Sequence, residues 1–455
     1  MKKLFFLLIF CLALLAGFYL HPFFVFQESY NETLLSVVNP SLKQKDEIKK
    51  PPKILEDLQT IKSLLMFTQK DFLEANLQEM KIRSYHGNLL KTEVPILRRG
   101  NPQEWGGTPA GLYQTTAKYR ASYSAASEVY MPYAIQFYGK YLLHGEPYYP
   151  KGGKFISDFS GGCIQMLDKD AETIYGEINK GMPILVIDKE NDNYDYRQDE
   201  QITEFPEVSA KNYLIADLDS GFIFAEKNPE EKTQIASLTK LMTAVVVSEN
   251  NDLRKSILIK DWMLEPYGST QGLVAGKKFG LLDLFYPLLI EPSNDAAEIL
   301  SYFLGKERSV QLMNEKARSI LMENTAFVDS HGFSPENIST AHDLFFLARY
   351  ILNVRPPIWE ITKGNKVPCV DNIKFKGLEN KNLFFKEDNF IGGKTGYITA
   401  SGHNGIFLFK FITEEEINRN VAIILLGSEN LENDSESLKK DAQKIIDWLK
   451  ENYFK

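Results

Sequence analysis

Three cysteines in 455 residues are too few for a disulfide framework, which in an exported chain carries its cysteines in regular pairs. The six histidines show no metal-ligand spacing, so neither a metal nor any other cofactor is expected. No Lys/Arg block is sustained anywhere and the net charge is -8, which excludes the clustered basic footprint that nucleic acid requires. There is no internal repeat. Only one long hydrophobic run exists, from Leu4 to Leu20 behind Met1-Lys2-Lys3, continued after His21 and Pro22 by "FFVF". A charged start before such a run is an export signal. Its length approaches the ~20 residues that span a bilayer and no small-x-small cleavage site follows, which favours an uncleaved membrane anchor (residues 1–26) over a cleaved signal peptide. The two lysines then stay cytoplasmic and the rest faces outward, in the cell envelope. Cys11 lies inside the run behind the bulky Phe10 and reads as membrane filler.

What is present is globular: 44% of the residues are hydrophobic and 25% charged, enough for two or three domains. Residues 27–67 are polar and contain "KQKDEIKKPPK", which predicts a stalk without a packed fold. From Asp71 onward "EMKIRSY" and "LLKTEVPIL" alternate around His86-Gly87-Asn88, a hairpin with His86 at its tip. Short strand-like pieces continue to "GMPILVI" and predict an all-β domain over residues 68–190. An acidic stretch, "DKENDNYDYRQDEQ", leads through a linker set at 191–207. A second domain, 208–430, opens with two strands joined at Asp219-Ser220-Gly221. It continues with helical periodicities around Leu238, Leu241, Met242 and Val245, in "DAAEILSYFLG" and in "AHDLFFLARYIL", and returns to strand in "NVAIILLGS". That mixture is α+β. Residues 431–455 form a closing amphipathic helix with Ile445, Ile446 and Leu449 inward.

Two stretches carry chemistry. In "SGGCIQM" Cys163 follows two glycines. A cysteine nucleophile needs a base and backbone N–H groups for the oxyanion, and the first domain offers His144 besides the turn residue His86. Gly161 and Gly162 leave room for a substrate backbone. Cys369, in "KVPCVDN", has no histidine nearby and reads as a small apolar residue. In "IASLTKLMTAVV" Ser237 precedes Lys240 by three residues at a helix start, so both side chains share a face. A desolvated lysine loses enough basicity to take the serine proton. Lys394-Thr395-Gly396 in "GGKTGYITASG" suits a strand edge that presents a cation, a hydroxyl and N–H groups to a carboxylate. His331 sits in the turn-like "DSHGF", His342 starts a helix and His403 follows the Lys-Thr-Gly strand.

"GGTPAGLYQT", "HGEPYYPKGGKFISDFSGGCIQM" and "DAETIYGEINKGMPILV", in that order, resemble the L,D-transpeptidase (YkuD) domain over about residues 68 to 190. The resemblance implies Cys163 as nucleophile and His144 as its base, with Gly145, Ser160, Gly161 and Gly162 shaping the pocket. Two positions depart from the family pattern: Gly161 replaces a second histidine and Gln165 an arginine, which weakens oxyanion and carboxylate contacts. The second domain resembles the serine D-alanyl-D-alanine carboxypeptidases, the low-molecular-mass penicillin-binding proteins, over about residues 208 to 430. That resemblance implies Ser237 as the acylated nucleophile, Lys240 as base, Asn294 as partner of substrate and lysine, and Lys394 with Thr395 and Gly396 as carboxylate clamp. The family's middle Ser-x-Asn motif reads Pro292-Ser293-Asn294 here. Proline replaces the serine that relays a proton, and Ser293 substitutes only if the loop shifts by one residue.

Together the resemblances imply peptidoglycan stem peptides as substrates and β-lactams as covalent ligands. They further imply a relay in which the serine domain trims pentapeptide to the tetrapeptide that the cysteine domain crosslinks. Two alternatives remain open from sequence. One is a wall-binding protein with one or both sites degenerate; the other is a β-lactamase-like hydrolase.

Overall fold

Residue by residue, the computed structural model describes positions 54, 57–194, 196, 202–264, 272–375, 377–428 and 435–454. The anchor expected over 1–26 and most of the expected stalk lie outside them. Among the described residues no helix is long and apolar enough to cross a membrane. The end of the expected stalk is folded, contrary to the sequence expectation, as helix α1 (Leu58–Phe67). Asp57 caps it by accepting from Thr60 N at 2.7 Å, and Ile61 and Leu65, one turn apart, are buried. Lys62 Nζ reaches the buried Glu74 carboxylate at 2.9 Å. The polar composition that suggested a stalk stops near Lys53, and the cap plus an i,i+4 apolar pair suffice for a docked helix.

Nine strands follow: β1 (Phe72–Asn76), β2 (Lys81–His86), β3 (Leu89–Pro95), β4 (Gly111–Gln114), β5 (Ala117–Ser124), β6 (Val129–Tyr138), β7 (Tyr141–His144), β8 (Ile164–Gln165) and, after helix α2 (Asp168–Glu177), β9 (Pro183–Ile187). They make a five-stranded sheet in the order β3-β2-β1-β9-β4 and a four-stranded sheet in the order β5-β6-β7-β8. Their inner faces share a core that includes Leu73, Ile82, Ile135, Leu143, Ile164, Ile174 and Ile184. The β2–β3 hairpin turns at Gly87, whose φ of +58° favours glycine. The pairing that matters most is β7 with β8, parallel, with Leu143 opposite Ile164 and His144 opposite Gln165.

The second half begins with β10 (Asn212–Asp217), β11 (Ile223–Lys227) and β12 (Thr233–Gln234), then α3 (Thr239–Asn250). It continues through β13 (Ser256–Leu258), β14 (Lys278–Gly280), α4 (Phe285–Ile290), α5 (Asn294–Leu304), α6 (Lys306–Ser319), β15 (Ile338–Ser339), α7 (Ala341–Val354) and α8 (Pro357–Thr362). It closes with β16 (Phe390–Ile398), β17 (Gly402–Ile412), β18 (Asn418–Ser428) and α9 (Glu436–Asn452). The sheet order is β11-β10-β18-β17-β16, so the last three strands return beside the first two. Helix α9 covers one face of that sheet: Leu438, Ala442, Ile445 and Leu449 join Phe407, Phe409 and Phe411 in one core. Helix α3 is buried from Thr239 to Glu249, as expected of a central helix. It therefore takes two charges into the interior, Lys240 in its first turn and Glu249 in its last.

The acidic linker also differs from expectation. Tyr196 is buried against Phe222 and Phe224, and its hydroxyl donates to Asp217 Oδ2 at 3.0 Å. Arg419, more than 200 residues along the chain, places Nη1 2.6 Å from Asp192 Oδ2 and Nε 2.9 Å from Asp217 Oδ2. Acidic composition alone reads as a loose linker because the cation that holds it is remote in sequence. Arg419→Met strands the fully buried Asp217, and the expected loss in a urea titration is about 3–5 kcal/mol. Asp192→Asn, at a half-exposed partner, is expected to cost less than about 1 kcal/mol; equal losses for the two variants would contradict this account.

Candidate functional site

Ser237 lies in the short turn Ala236–Leu238 that leads into α3, so Lys240 comes round on the same side three residues later. Lys240 Nζ has three oxygen partners: Ser237 Oγ at 2.9 Å, Asn294 Oδ1 at 2.7 Å and the backbone oxygen of His331 at 2.5 Å. Burial drives the lysine well below its ordinary pKa, and the charge of Lys394 adds to the effect while Asp329 opposes it. A neutral amine has two N–H groups and one lone pair. Two of the three partners are carbonyl oxygens, which only accept, so in the neutral form of the amine both N–H groups go to them and the lone pair faces the Ser237 hydroxyl.

Close backbone approach builds the rest of the pocket. Ala236 has φ of +48°, which turns the chain sharply just before the nucleophile. A Cβ on Gly396 would stand 2.7 Å from Ser237 N, and one on Gly332 would stand 1.9 Å from Ala236 O; both positions require glycine. Gly396 thereby lets β16 run directly beside the serine. On that strand the Lys394 ammonium is buried, donates to Thr395 O at 2.6 Å, and is brought down to about 7 by desolvation. Thr395 Oγ1 donates to Lys381 O at 3.3 Å. Asn294 is the first residue of α5, and Ser293 is its N-cap, accepting from Ala296 N at 3.1 Å. Pro292, just before it, brings neither hydroxyl nor N–H.

Sequence reasoning took "DSHGF" for a plain turn. Its backbone instead supplies the third oxygen on Lys240, because Asp329 accepts from the N–H groups of His331, Gly332 and Ser334 at 3.0, 2.5 and 2.9 Å and fixes the peptide direction. An Asp three residues before a glycine was the readable signal.

In the first half, the β7–β8 pairing brings His144 and the segment of Cys163 together. Cys163 packs against Met131, Ala134 and Leu142, and its thiol is not hydrogen-bonded to the imidazole. His144 Nδ1 lies 2.6 Å from Gly145 O; that oxygen only accepts, so Nδ1 carries the proton and Nε2 is the basic nitrogen. Burial pushes this imidazole down to about 4. Burial likewise pushes the half-buried Cys163 thiol up to about 11, against the pull of the Leu142 backbone and the Lys140 ammonium. At neutral pH the resting pair is therefore an uncharged thiol and an uncharged imidazole. Gly145 packs on Asp168, where a Cβ would meet Oδ1 at 2.4 Å. Gly161 and Gly162 take φ of +68° and +111°, and Ser160 Oγ donates to Cys163 O. Gln165 is buried, with Nε2 lacking a hydrogen-bond partner and Oε1 accepting from Arg98 Nη1 at 3.4 Å. Arg98 escaped sequence reasoning; it stands beside the position where the family pattern has its arginine. Among the described residues no group of three or more His, Cys, Asp or Glu side chains is arranged to hold a metal.

A family model described as D-alanyl-D-alanine carboxypeptidase (peptidase S11) matches residues 199–428, half of the chain. The chain belongs to the D-alanyl-D-alanine carboxypeptidase family. A second model, the L,D-transpeptidase catalytic domain (YkuD), matches residues 70–186, so the carboxypeptidase portion is fused to an L,D-transpeptidase-type domain. Among curated relatives, D-alanyl-D-alanine carboxypeptidase DacD of Escherichia coli is 25% identical over 266 residues, covering 54% of this chain and 65% of its own. DacC of the same organism is 32% identical over 219 residues, covering 45% and 54%. The D-alanyl-D-alanine endopeptidase of Haemophilus influenzae is 32% identical over 208 residues, covering 44% and 70%. This carboxypeptidase homologue thus spans 65% and 54% of the two Escherichia coli enzymes' own length. The crystal structure of a D-alanyl-D-alanine carboxypeptidase from Mycobacterium tuberculosis aligns with a TM-score of 0.49 at 24% identity, covering 55% of this chain and 95% of that one.

The two depressed or raised groups of the cysteine site make a pH prediction. The folded pKa of His144 lies below its ordinary 6.5, so the unfolded chain takes up the proton first as pH falls. The stability present above pH 6.5 is therefore lost between about 6.5 and about 4. In urea titrations at pH 7 and pH 4.5, His144→Asn is expected to flatten this part of the pH dependence. Alkylation of Cys163 by iodoacetamide is expected to rise with pH toward about 11, with only about one thiol in ten thousand ionised at pH 7; a plateau already reached near pH 7 would contradict the buried, uncharged thiol.

Proposed function

We propose that the chain is a peptidoglycan-remodelling enzyme of the cell envelope, held at the membrane by its N-terminal hydrophobic run. Its serine site removes the terminal D-Ala of stem pentapeptides and its cysteine site crosslinks the resulting tetrapeptides. The observation that carries the first half is the Lys240 geometry: two carbonyl oxygens hold its N–H groups and leave its lone pair on Ser237. In this reading Lys240 takes the hydroxyl proton as Ser237 attacks the D-Ala-D-Ala carbonyl, and Lys394 with Thr395 receives the substrate carboxylate. Asn294 orients substrate and lysine together. D-Ala leaves with a proton, and water hydrolyses the serine ester. β-lactams are expected to acylate the same serine.

At the cysteine site, Cys163 attacks the carbonyl of the third stem residue and releases the fourth, D-Ala. The proton passes through His144, and the thioester goes to an acceptor amine. The acid–base pair is uncharged at rest, so substrate binding has to bring Sγ and His144 Nε2 into contact. Gly161, with nothing within 4 Å of where a Cβ would stand, leaves room for that adjustment. Helix α3 alone separates the serine end from the end near the cysteine domain by about 18 Å.

Pro292 favours a second reading in which the serine pocket binds stems and turns over slowly. A missing proton relay costs about 10²–10⁴ in rate. The test is a defined muropeptide pentapeptide incubated with the protein and followed by mass spectrometry. Tetrapeptide formation abolished by Ser237→Ala, with L,D-dimers later lost in Cys163→Ala, is the expected outcome. Intact pentapeptide alongside crosslinked tetrapeptide would leave the serine half as a binding module. Pro292→Ser is expected to raise tetrapeptide formation by roughly tenfold or more, and an unchanged rate would mean that the proton reaches the leaving amine by another route.

A further inference from the structure

The largest buried charge cluster lies where the two halves meet, and neither site uses it. Glu249, at the end of α3, is fully buried. Lys316 Nζ approaches its carboxylate at 2.9 Å and Arg355 Nη2 at 3.3 Å, and Tyr350 donates its hydroxyl to the same group. Besides Tyr350 OH at 3.2 Å, Lys316 reaches into the β domain, to Tyr113 OH at 2.9 Å and over the Tyr138 ring at 4.0 Å. Arg355 also crosses over: Nη1 donates to Gly107 O at 2.7 Å and Nη2 to Tyr141 OH at 2.9 Å. A guanidinium is planar with its N–H groups in fixed directions, so pinning it on Glu249 sets where Gly107 and Tyr141 must lie.

Both of those groups back the cysteine loop. A Cβ on Gly162 would stand 2.3 Å from Tyr141 Cε1 and 3.2 Å from Gly106 O. Gly162 is thus seated between the Tyr141 ring and the peptide before Gly107, and Cys163 is the next residue.

We propose that Arg355, contributed by the carboxypeptidase portion, is the positioning residue of the cysteine site, seating the Gly161-Gly162-Cys163 loop through Tyr141 and Gly107. The proposal rests on the reading of Cys163 as nucleophile. It makes the serine half a structural part of the cysteine enzyme: α3 begins beside Ser237 and ends on the carboxylate that orients Arg355.

The test uses the full chain with Arg355→Lys, which keeps a cation beside Glu249 but loses the planar fork, and Tyr141→Phe, which removes one hydroxyl and keeps the ring against Gly162. Three readouts are taken: Ser237 labelling by a fluorescent penicillin, Cys163 turnover of tetrapeptide split into kcat and KM, and the pH profile of Cys163 alkylation. The expected result is labelling of Ser237 within about twofold of the parent, kcat at Cys163 lowered roughly tenfold or more with KM little changed, and a shifted alkylation profile in both variants. Parent-like kcat and alkylation in both would overturn the proposal. If Arg355→Lys loses Ser237 labelling it has misfolded, and Tyr141→Phe decides alone. If the parent itself forms no thioester from tetrapeptide, the reading of Cys163 fails separately, and the alkylation profiles still decide whether Arg355 positions the thiol.

Discussion

The carboxylate of Glu249, buried at the end of a helix that no water reaches, constrains the rest of the molecule. An unpaired charge there would be prohibitive, so Lys316 and Arg355 must stand against it. Two cations around one anion leave donors over, and some of those donors reach oxygens in the neighbouring domain, at Tyr113, Tyr141 and Gly107, while others stay within their own half, on Tyr350 and Val354. Such a cluster adds little net stability compared with a well-packed apolar one. It contributes geometry, because Lys316 and Arg355 each hold Glu249 on one side and an oxygen of the other domain on the other.

The same helix starts with the other buried charge-bearing group. Lys240 is desolvated in the first turn of α3 and held by Asn294 and His331 O; Glu249 is desolvated in the last turn and held by cations. At one end burial lowers the pKa of an amine that lies beside a hydroxyl. The other uses burial to demand partners from across a domain boundary.

The two nucleophiles stand in different states of readiness. The serine site is compactly assembled, with Lys240 Nζ 2.9 Å from the hydroxyl and two glycines that bring strand and turn into contact with it. The cysteine site has its parts on adjoining parallel strands, but its imidazole is turned to Gly145 O and its thiol is uncharged. Burial lowers the pKa of Lys240 beside Ser237 and raises that of the Cys163 thiol.

Much of this was legible in the chain. The hairpin around Gly87, the alternating strands, the α+β character of the second half, the inward face of α9 and the Ser237–Lys240 pairing all follow from local periodicity and spacing, which act over a few residues. Helix α1, the clamp of Arg419 on the acidic stretch, the His331 carbonyl on Lys240 and the Arg98–Gln165 contact were not legible, because each depends on a partner or a docking surface that lies beyond its own segment. The sequence by itself determined most of the elements and the side-by-side placement of Ser237 and Lys240, since helix and strand periods and a three-residue offset are local properties. Only the tertiary structure decided which groups are desolvated, which carbonyls face the lysine and which arginine backs the cysteine loop, because burial and hydrogen-bond satisfaction are set by what packs alongside from elsewhere in the chain.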